Sequence, residues 1–196
     1  MTSRRFSQAI SEGDGISVIV PVGDLESART AEEQRAEGLI VWNNVPGIRD
    51  AVSLPLLWRA DGPLEAARDC GADACLLIIE RLGDEEGALE RMQAESAALG
   101  LEVVVDVKSP EELELALERI DPELFLLSPR EAEDGQAAHE RVLELLTDVP
   151  AGKLAIADLA SVVRAEVDEL ERAGVDAVVV ATGNVTELVG AAPPEV

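Results

Sequence analysis

The chain has 196 residues, with 40 acidic side chains against 16 basic ones and a formal net charge of −24. Its 47% hydrophobic content is ordinary for a folded globular domain and too high for a disordered chain, and its length fits one domain or two small ones at most. A surface this negative repels phosphate backbones and anionic lipids, so neither nucleic acid nor a membrane is an expected partner.

The first residues, Met1 to Ile10, lack the long apolar segment of a secretory signal. Apolar runs such as Val175–Ala181 fall far short of the roughly 20 residues a membrane span needs. The expected location is the cytoplasm. Short apolar and β-branched runs predict strands at Ile16–Val22, Leu39–Trp42, Leu54–Arg59, Ala74–Ile79, Leu101–Val107, Leu124–Ser128, Leu154–Ala157 and Asp176–Ala181. Helical patterns lie between them, for example Pro110–Ile120 and Ser161–Ala173. In the first of these Leu113, Leu117 and Ile120 form one apolar stripe, and Ser109 is placed to cap a helix that opens on proline. Gly71, Gly100 and Gly174 stand where helices should stop before the next strand. Residues 191–196 read as a frayed tail, leaving 1–190 as the folded domain.

Strands that are apolar along their whole length suit a parallel sheet buried on both faces. Eight βα units predict a closed (β/α)8 TIM barrel, compact and of a single domain. An open doubly wound sheet is the alternative. The turn after the first strand, Val22-Gly23-Asp24-Leu25, lacks the glycine-rich loop that fold uses for phosphates.

Cysteine and histidine point to no metal. Cys70 and Cys75 have neither CxxC spacing nor a second pair, and are expected as small buried side chains. His139, in a polar helical stretch, is expected to be exposed. The basic side is lopsided, with 14 arginines and only two lysines, Lys108 and Lys153. An acid-rich, lysine-poor chain is suited to high salt, where screening mutes self-repulsion. A GC-rich genome is the alternative source of that composition.

In such a barrel the chemistry sits where strands run into the loops that follow them. The polar residues at those ends are Asp24, Asn43, Asn44, Arg59, Asp61, Glu80, Arg81, Asp106, Lys108, Ser128, Arg130, Asp158, Thr182, Gly183 and Asn184. Carboxylates, cations and hydroxyls in one mouth are the equipment for holding an anion and moving protons. Ordinary loop solvation and charge pairing account for most residues of this kind.

Several stretches carry a resemblance. Phe6–Ile10 followed by Ile16–Ile19, Leu54–Arg59, Ala67–Ile78, Leu99–Val107 with Glu111–Leu113, and Ala173–Val180 stand in the order and spacing of the indole-3-glycerol-phosphate synthases. The resemblance covers almost the whole chain. It implies a short lead-in helix before the first strand. It also implies a lyase of tryptophan biosynthesis, which closes an indole ring on a phosphorylated, ring-opened sugar with loss of carbon dioxide and water. No cofactor or metal is implied.

The family's functional positions carry over unevenly. Pro21 and Gly23 stand where the first strand should bring a glutamate and a lysine. Arg59 aligns with the catalytic lysine of the third strand, Asp106 with the glutamate of the fifth, and Lys108 lies two residues beyond it. Ser128 replaces an asparagine, and Arg130 keeps a nearby arginine. Asp158 replaces the seventh-strand glutamate, and Leu159-Ala160 replaces a Ser-Gly pair where bulk should crowd the phosphate cradle. Ala181 and Gly183 stand in the last phosphate loop. By resemblance, Arg59, Asp106, Lys108 and Asp158 are the catalytic candidates, and Ser128, Arg130 and Gly183 the substrate-binding ones.

A guanidinium is too weak an acid to give up its proton at working pH, so Arg59 orients an anion but is a poor general acid. Each Glu-to-Asp change draws the carboxylate back by a methylene, and a misplacement of about 1 Å costs on the order of 100-fold in rate. These changes argue against native synthase activity. Two readings follow: a divergent lyase acting on an anionic, phosphorylated small molecule, or a non-catalytic barrel serving as a binding or interaction module. A phosphosugar isomerase or aldolase is a weaker third, with Lys108 the one lysine for a Schiff base. The expected state is a monomer or weak homodimer.

Overall fold

In the computed structural model, residues 6–12, 15–59, 62–82, 87–129, 138–159, 162–181 and 185 are described. Strands β1 (Ser17–Val22), β2 (Gly38–Val41), β3 (Leu56–Trp58), β4 (Ala74–Ile78), β5 (Glu102–Val107), β6 (Leu124–Leu127), β7 (Leu154–Asp158) and β8 (Ala177–Val179) close into one barrel in chain order. Every neighbouring pair is parallel, and β8 returns to β1 through Ser17–Ala177, Val18–Val178 and Ile19–Val179. The expected closed barrel is what the chain forms, and the open sheet is excluded. Its helices are α1 (Phe6–Ser11), α2 (Leu25–Glu33), α3 (Ile48–Ala51), α4 (Leu64–Cys70), α5 (Ile79–Leu82), α6 (Ala88–Ala98), α7 (Pro110–Arg119), α8 (Ala138–Leu146) and α9 (Arg164–Ala173). None of the described helices is long and apolar enough to cross a membrane.

Alternation along each strand divides the core into two layers. Ile19, Ile40, Leu57, Val104, Leu126, Ile156 and Val179 fill the barrel interior. Val18, Val20, Leu39, Leu56, Val105, Phe125 and Val178 face the helices. The third strand is shorter than its apolar run because Pro55 has no N–H to donate, so the strand begins at Leu56. The ladder still runs past its formal end, with Arg59 N–H donating to the Val41 carbonyl at 2.9 Å. Arg59 is thereby set at the rim.

One end of the barrel is plugged. Phe6 and Ile10 of α1 join the interior layer, and Phe6 is fully buried. Glu102, the first residue of β5, accepts from the Ser7 N–H at 3.1 Å and from its hydroxyl, while Ser17 donates to the Ile10 carbonyl at 3.1 Å. The plug lies at the strands' N-terminal ends, so the opposite rim is the open one.

The acidic residues just before strands have a structural task. Glu37, Asp73 and Asp176 accept the otherwise unmatched amides of Val18, Leu56 and Ala155, at 3.0, 2.9 and 2.8 Å. Asp73 and Asp176 do so from Gly-X-Asp junctions, whereas Glu37 follows Arg35-Ala36. At both Gly-X-Asp junctions the preceding helix ends on a left-handed glycine, Gly71 at φ +78° and Gly174 at φ +100°, a conformation that costs other residues more. Ser109 caps α7, its hydroxyl accepting the Glu112 N–H at 3.4 Å with Pro110 in the first turn. Helix α9 starts at Arg164, later than its sequence pattern, because Val163 is extended; Ser161 lies outside the described residues.

Candidate functional site

At the open rim two strands that face each other across the barrel are tied together. Arg59, directly after β3, forms an ion pair through Nη1 with Oδ2 of Asp158, the last residue of β7. Both side chains are mostly covered, with 16% and 19% of their surface exposed. The guanidinium also lies over the Trp42 ring, 4.7 Å from its centroid, a cation–π contact. Trp42 follows β2 and is half exposed.

Beside this bridge lies a second charged group. Asp106, on β5, is almost fully buried, at 2% exposure. The Ser128 hydroxyl donates to its Oδ1, and the Lys108 Nζ stands 4.0 Å from its Oδ2. The same ammonium is 2.5 Å from Oε2 of Glu80. Burial pushes the Asp106 carboxyl above the usual carboxylate range, and the Asp158 charge adds to that. The Ser128 hydrogen bond and the Arg59 and Lys108 charges work against it without reversing it. The two pairs therefore form one electrostatic unit, with three carboxylates (Glu80, Asp106, Asp158) facing two cations (Arg59, Lys108).

Alternation explains the convergence. Asp106 and Lys108 continue the inward face of Val104, Ser128 that of Leu126, and Asp158 that of Ile156. Arg59, Asp106, Lys108, Ser128 and Asp158 are thus brought together, while Arg130 and Gly183 lie outside the described residues, as do Asp61, Ala160, Thr182 and Asn184. Asp24 is a helix cap: its carboxylate accepts the Ser27 N–H at 2.7 Å, which holds its pKa below the ordinary value. Asn43, Asn44 and Arg81 are exposed.

Two expectations need correction. Leu159 does not crowd the mouth: it is buried in the outer layer against the helices, because it follows inward-facing Asp158. His139 is not an exposed helix residue. Only 18% of its side chain is open, and its ring lies between Glu166 and Glu169 of α9, at 3.4 and 3.8 Å. Trp42 was not among the sequence candidates. Its signal was the alternation from inward-facing Ile40, masked because an indole reads as one more apolar strand residue.

Cys70 and Cys75 are both buried and free. Burial raises the Cys75 thiol pKa, the opposite of what a reactive thiolate needs. Among the described residues no group of three His, Cys, Asp or Glu is placed to hold a metal ion. At the mouth, cations and a hydroxyl occupy the space between the carboxylates.

Comparison with known proteins gives one family and several barrels. The model of the family described as indole-3-glycerol phosphate synthase matches residues 44–186. Among solved structures, the chain is similar to an N-acetylmannosamine-6-phosphate 2-epimerase from Clostridium perfringens, with a TM-score of 0.69, 13% identity and 87% of each chain covered. It is similar to a thiamine phosphate pyrophosphorylase from Pyrococcus furiosus, with a TM-score of 0.63, 17% identity and 87% of each chain covered. A mandelate oxidase variant with an FMN adduct matches with a TM-score of 0.64 and 15% identity, over 86% of this chain and 65% of that one. At these identities the likeness is one of fold.

Proposed function

The chain belongs to the indole-3-glycerol phosphate synthase family, and we propose that it is a member that binds a polar small molecule at the barrel mouth without closing the indole ring. The observation that carries this reading is the Arg59–Asp158 bridge. Arg59 stands at the position that resembles the family's catalytic lysine. A guanidinium there cannot release a proton near neutral pH, and its charge is already taken by a carboxylate.

Charge balance supports the same reading. A phosphate monoester approaching a protein of net charge −24 needs uncommitted cations at the site. Lys108 is bound to Glu80 and near Asp106, and Arg59 to Asp158, so acids outnumber cations in the described mouth. A ligand of low net charge, carrying both donors and acceptors, suits such a set better than a phosphate does.

A second reading rests on Asp106. A buried carboxyl with a raised pKa beside an ammonium group is equipped for proton transfer, and favours a divergent lyase. One assay separates the two. Purified protein is incubated with the carboxyphenylamino-deoxyribulose phosphate substrate of the family, and indole fluorescence is followed. The binding reading expects no product from wild type or Lys108→Ala. Product from wild type that is lost in Lys108→Ala overturns it in favour of the lyase.

A further inference from the structure

Around the outside of the barrel α7 packs against α6 and α8 against α9, and a groove opens between α7 and α8. It consists of two adjoining cavities of about 400 and 370 Å³ that share Pro110 and Asp148 in their walls. Its apolar surface comes from exposed Pro110 and half-buried Leu117, with Leu113 and Leu145 buried at its base. The rim is acidic. Glu114, Glu118 and Asp148 are exposed, and none of them forms an ion pair among the described residues. Other exposed acids of the outer helices do find partners, as Glu90 does in Arg119 and Asp168 in Arg164. The groove's basic side chains, Lys108 and Arg141, line the larger cavity only, and the Lys108 ammonium is bound to Glu80.

We propose that the α7–α8 groove docks a basic amphipathic helix of a partner protein. Shape sets the helix. From Pro110 to Glu118 the wall follows α7 for about eight residues, or about 12 Å, the length of two helical turns laid alongside. A helix lowers its apolar face into such a groove through residues spaced i, i+3 or i+4, and Pro110 and Leu117 meet that face. Charge sets the flanks. Three uncompensated carboxylates on a protein of net charge −24 attract lysine or arginine on either side of the apolar stripe and steer the encounter. The same charge argues against a second copy of this chain, which would set acid against acid.

The probe is a fluorescein-labelled, end-capped peptide of about three helical turns, with leucine at i, i+3, i+4 and i+7 and lysine elsewhere. A scramble of the same composition keeps the charge and loses the stripe. Fluorescence anisotropy is followed in 0.15 M KCl, where attraction beyond about 8 Å is largely screened. The expected result is saturable binding of the stripe peptide, about tenfold or more tighter than the scramble. Glu114→Lys with Glu118→Lys should weaken it about tenfold, whereas Glu33→Lys with Glu65→Lys, the same charge change at exposed positions of α2 and α4, should leave it within about twofold. Leu117→Asp removes the apolar wall while adding an acid, so it should weaken binding about tenfold where a purely electrostatic attachment would gain. The lysine pair on α7 decides if Leu117→Asp does not fold. No saturable binding below about 1 mM, equal affinity for the two peptides, equal losses in the two lysine pairs, or stronger binding to Leu117→Asp would overturn the proposal. So would sedimentation of the free protein as a dimer that Glu114→Lys with Glu118→Lys alters, which would give the groove to a second copy.

Discussion

Arg59 and Asp158 join the ends of β3 and β7 across the barrel mouth. The bridge does two things at once. It spans the opening above a core that is plugged at the other end by α1, and it commits the Arg59 guanidinium to a carboxylate at the rim. Because both side chains are mostly covered, removing one partner strands the other. Asp158→Asn is expected to destabilise the protein by about 2 kcal/mol, the lower side of the cost of breaking a buried pair, since both groups keep some water contact. Urea denaturation of the two proteins measures it.

The buried carboxylate predicts a pH dependence with a definite sign. Asp106 has a raised pKa in the folded protein, with burial the largest cause. A raised acid binds its proton more tightly folded than unfolded, so its stabilising contribution is complete below the ordinary carboxylate pKa. That contribution is lost as pH rises through the folded value. Asp106→Asn keeps an acceptor for the Ser128 hydroxyl and cannot titrate. Its stability relative to wild type should therefore grow as pH rises from about 4 toward 7, read as the difference in urea midpoints. A difference that shrinks over that range would contradict the burial argument.

The plug at the other end makes a separate prediction. Phe6 is fully buried in the barrel's interior layer, and a Phe-to-Ala change at such a site costs about 3–5 kcal/mol. Phe6→Ala should lose that much stability while leaving the Trp42 emission spectrum of the folded state unchanged, since Trp42 stands at the opposite rim. A shift in that emission would mean the plug also shapes the mouth.

The excess of acids predicts a response to salt. Forty carboxylates on a chain of net charge −24 repel one another until ions screen them, and the screening length falls from about 10 Å at 0.1 M to about 3 Å at 1 M. The melting temperature should rise by roughly 4 °C or more between 0.1 and 1 M KCl, corresponding to about 1–2 kcal/mol. A flat curve would assign the composition to codon usage instead of habitat.

The barrel was legible in the sequence because each strand is an unbroken apolar run, and such runs separated by amphipathic helices have few parallel-sheet solutions. The site was partly legible: Arg59, Asp106, Lys108, Ser128 and Asp158 stood among many polar residues at strand ends, and the family resemblance singled them out. What pairs with what was not. Arg59 meets Asp158 only because the barrel closes β8 onto β1 and brings β3 opposite β7, a relation between residues 99 positions apart. His139 was misread because its glutamates lie on the next helix, and Leu159 because its neighbour's direction, which sets its own, depends on the register of β7.

Arg59 and Lys108, the cations of the described mouth, are committed to its own carboxylates. Melting temperatures of wild type and Asp158→Asn in the presence of 10 mM glycerol phosphate test it most directly. Wild type should shift by less than about 1 °C, whereas the variant, with Arg59 released, should gain about 3 °C, as expected for a site of roughly millimolar affinity. A wild-type shift as large as the variant's would show that Arg59 already accepts a phosphate and would contradict the account.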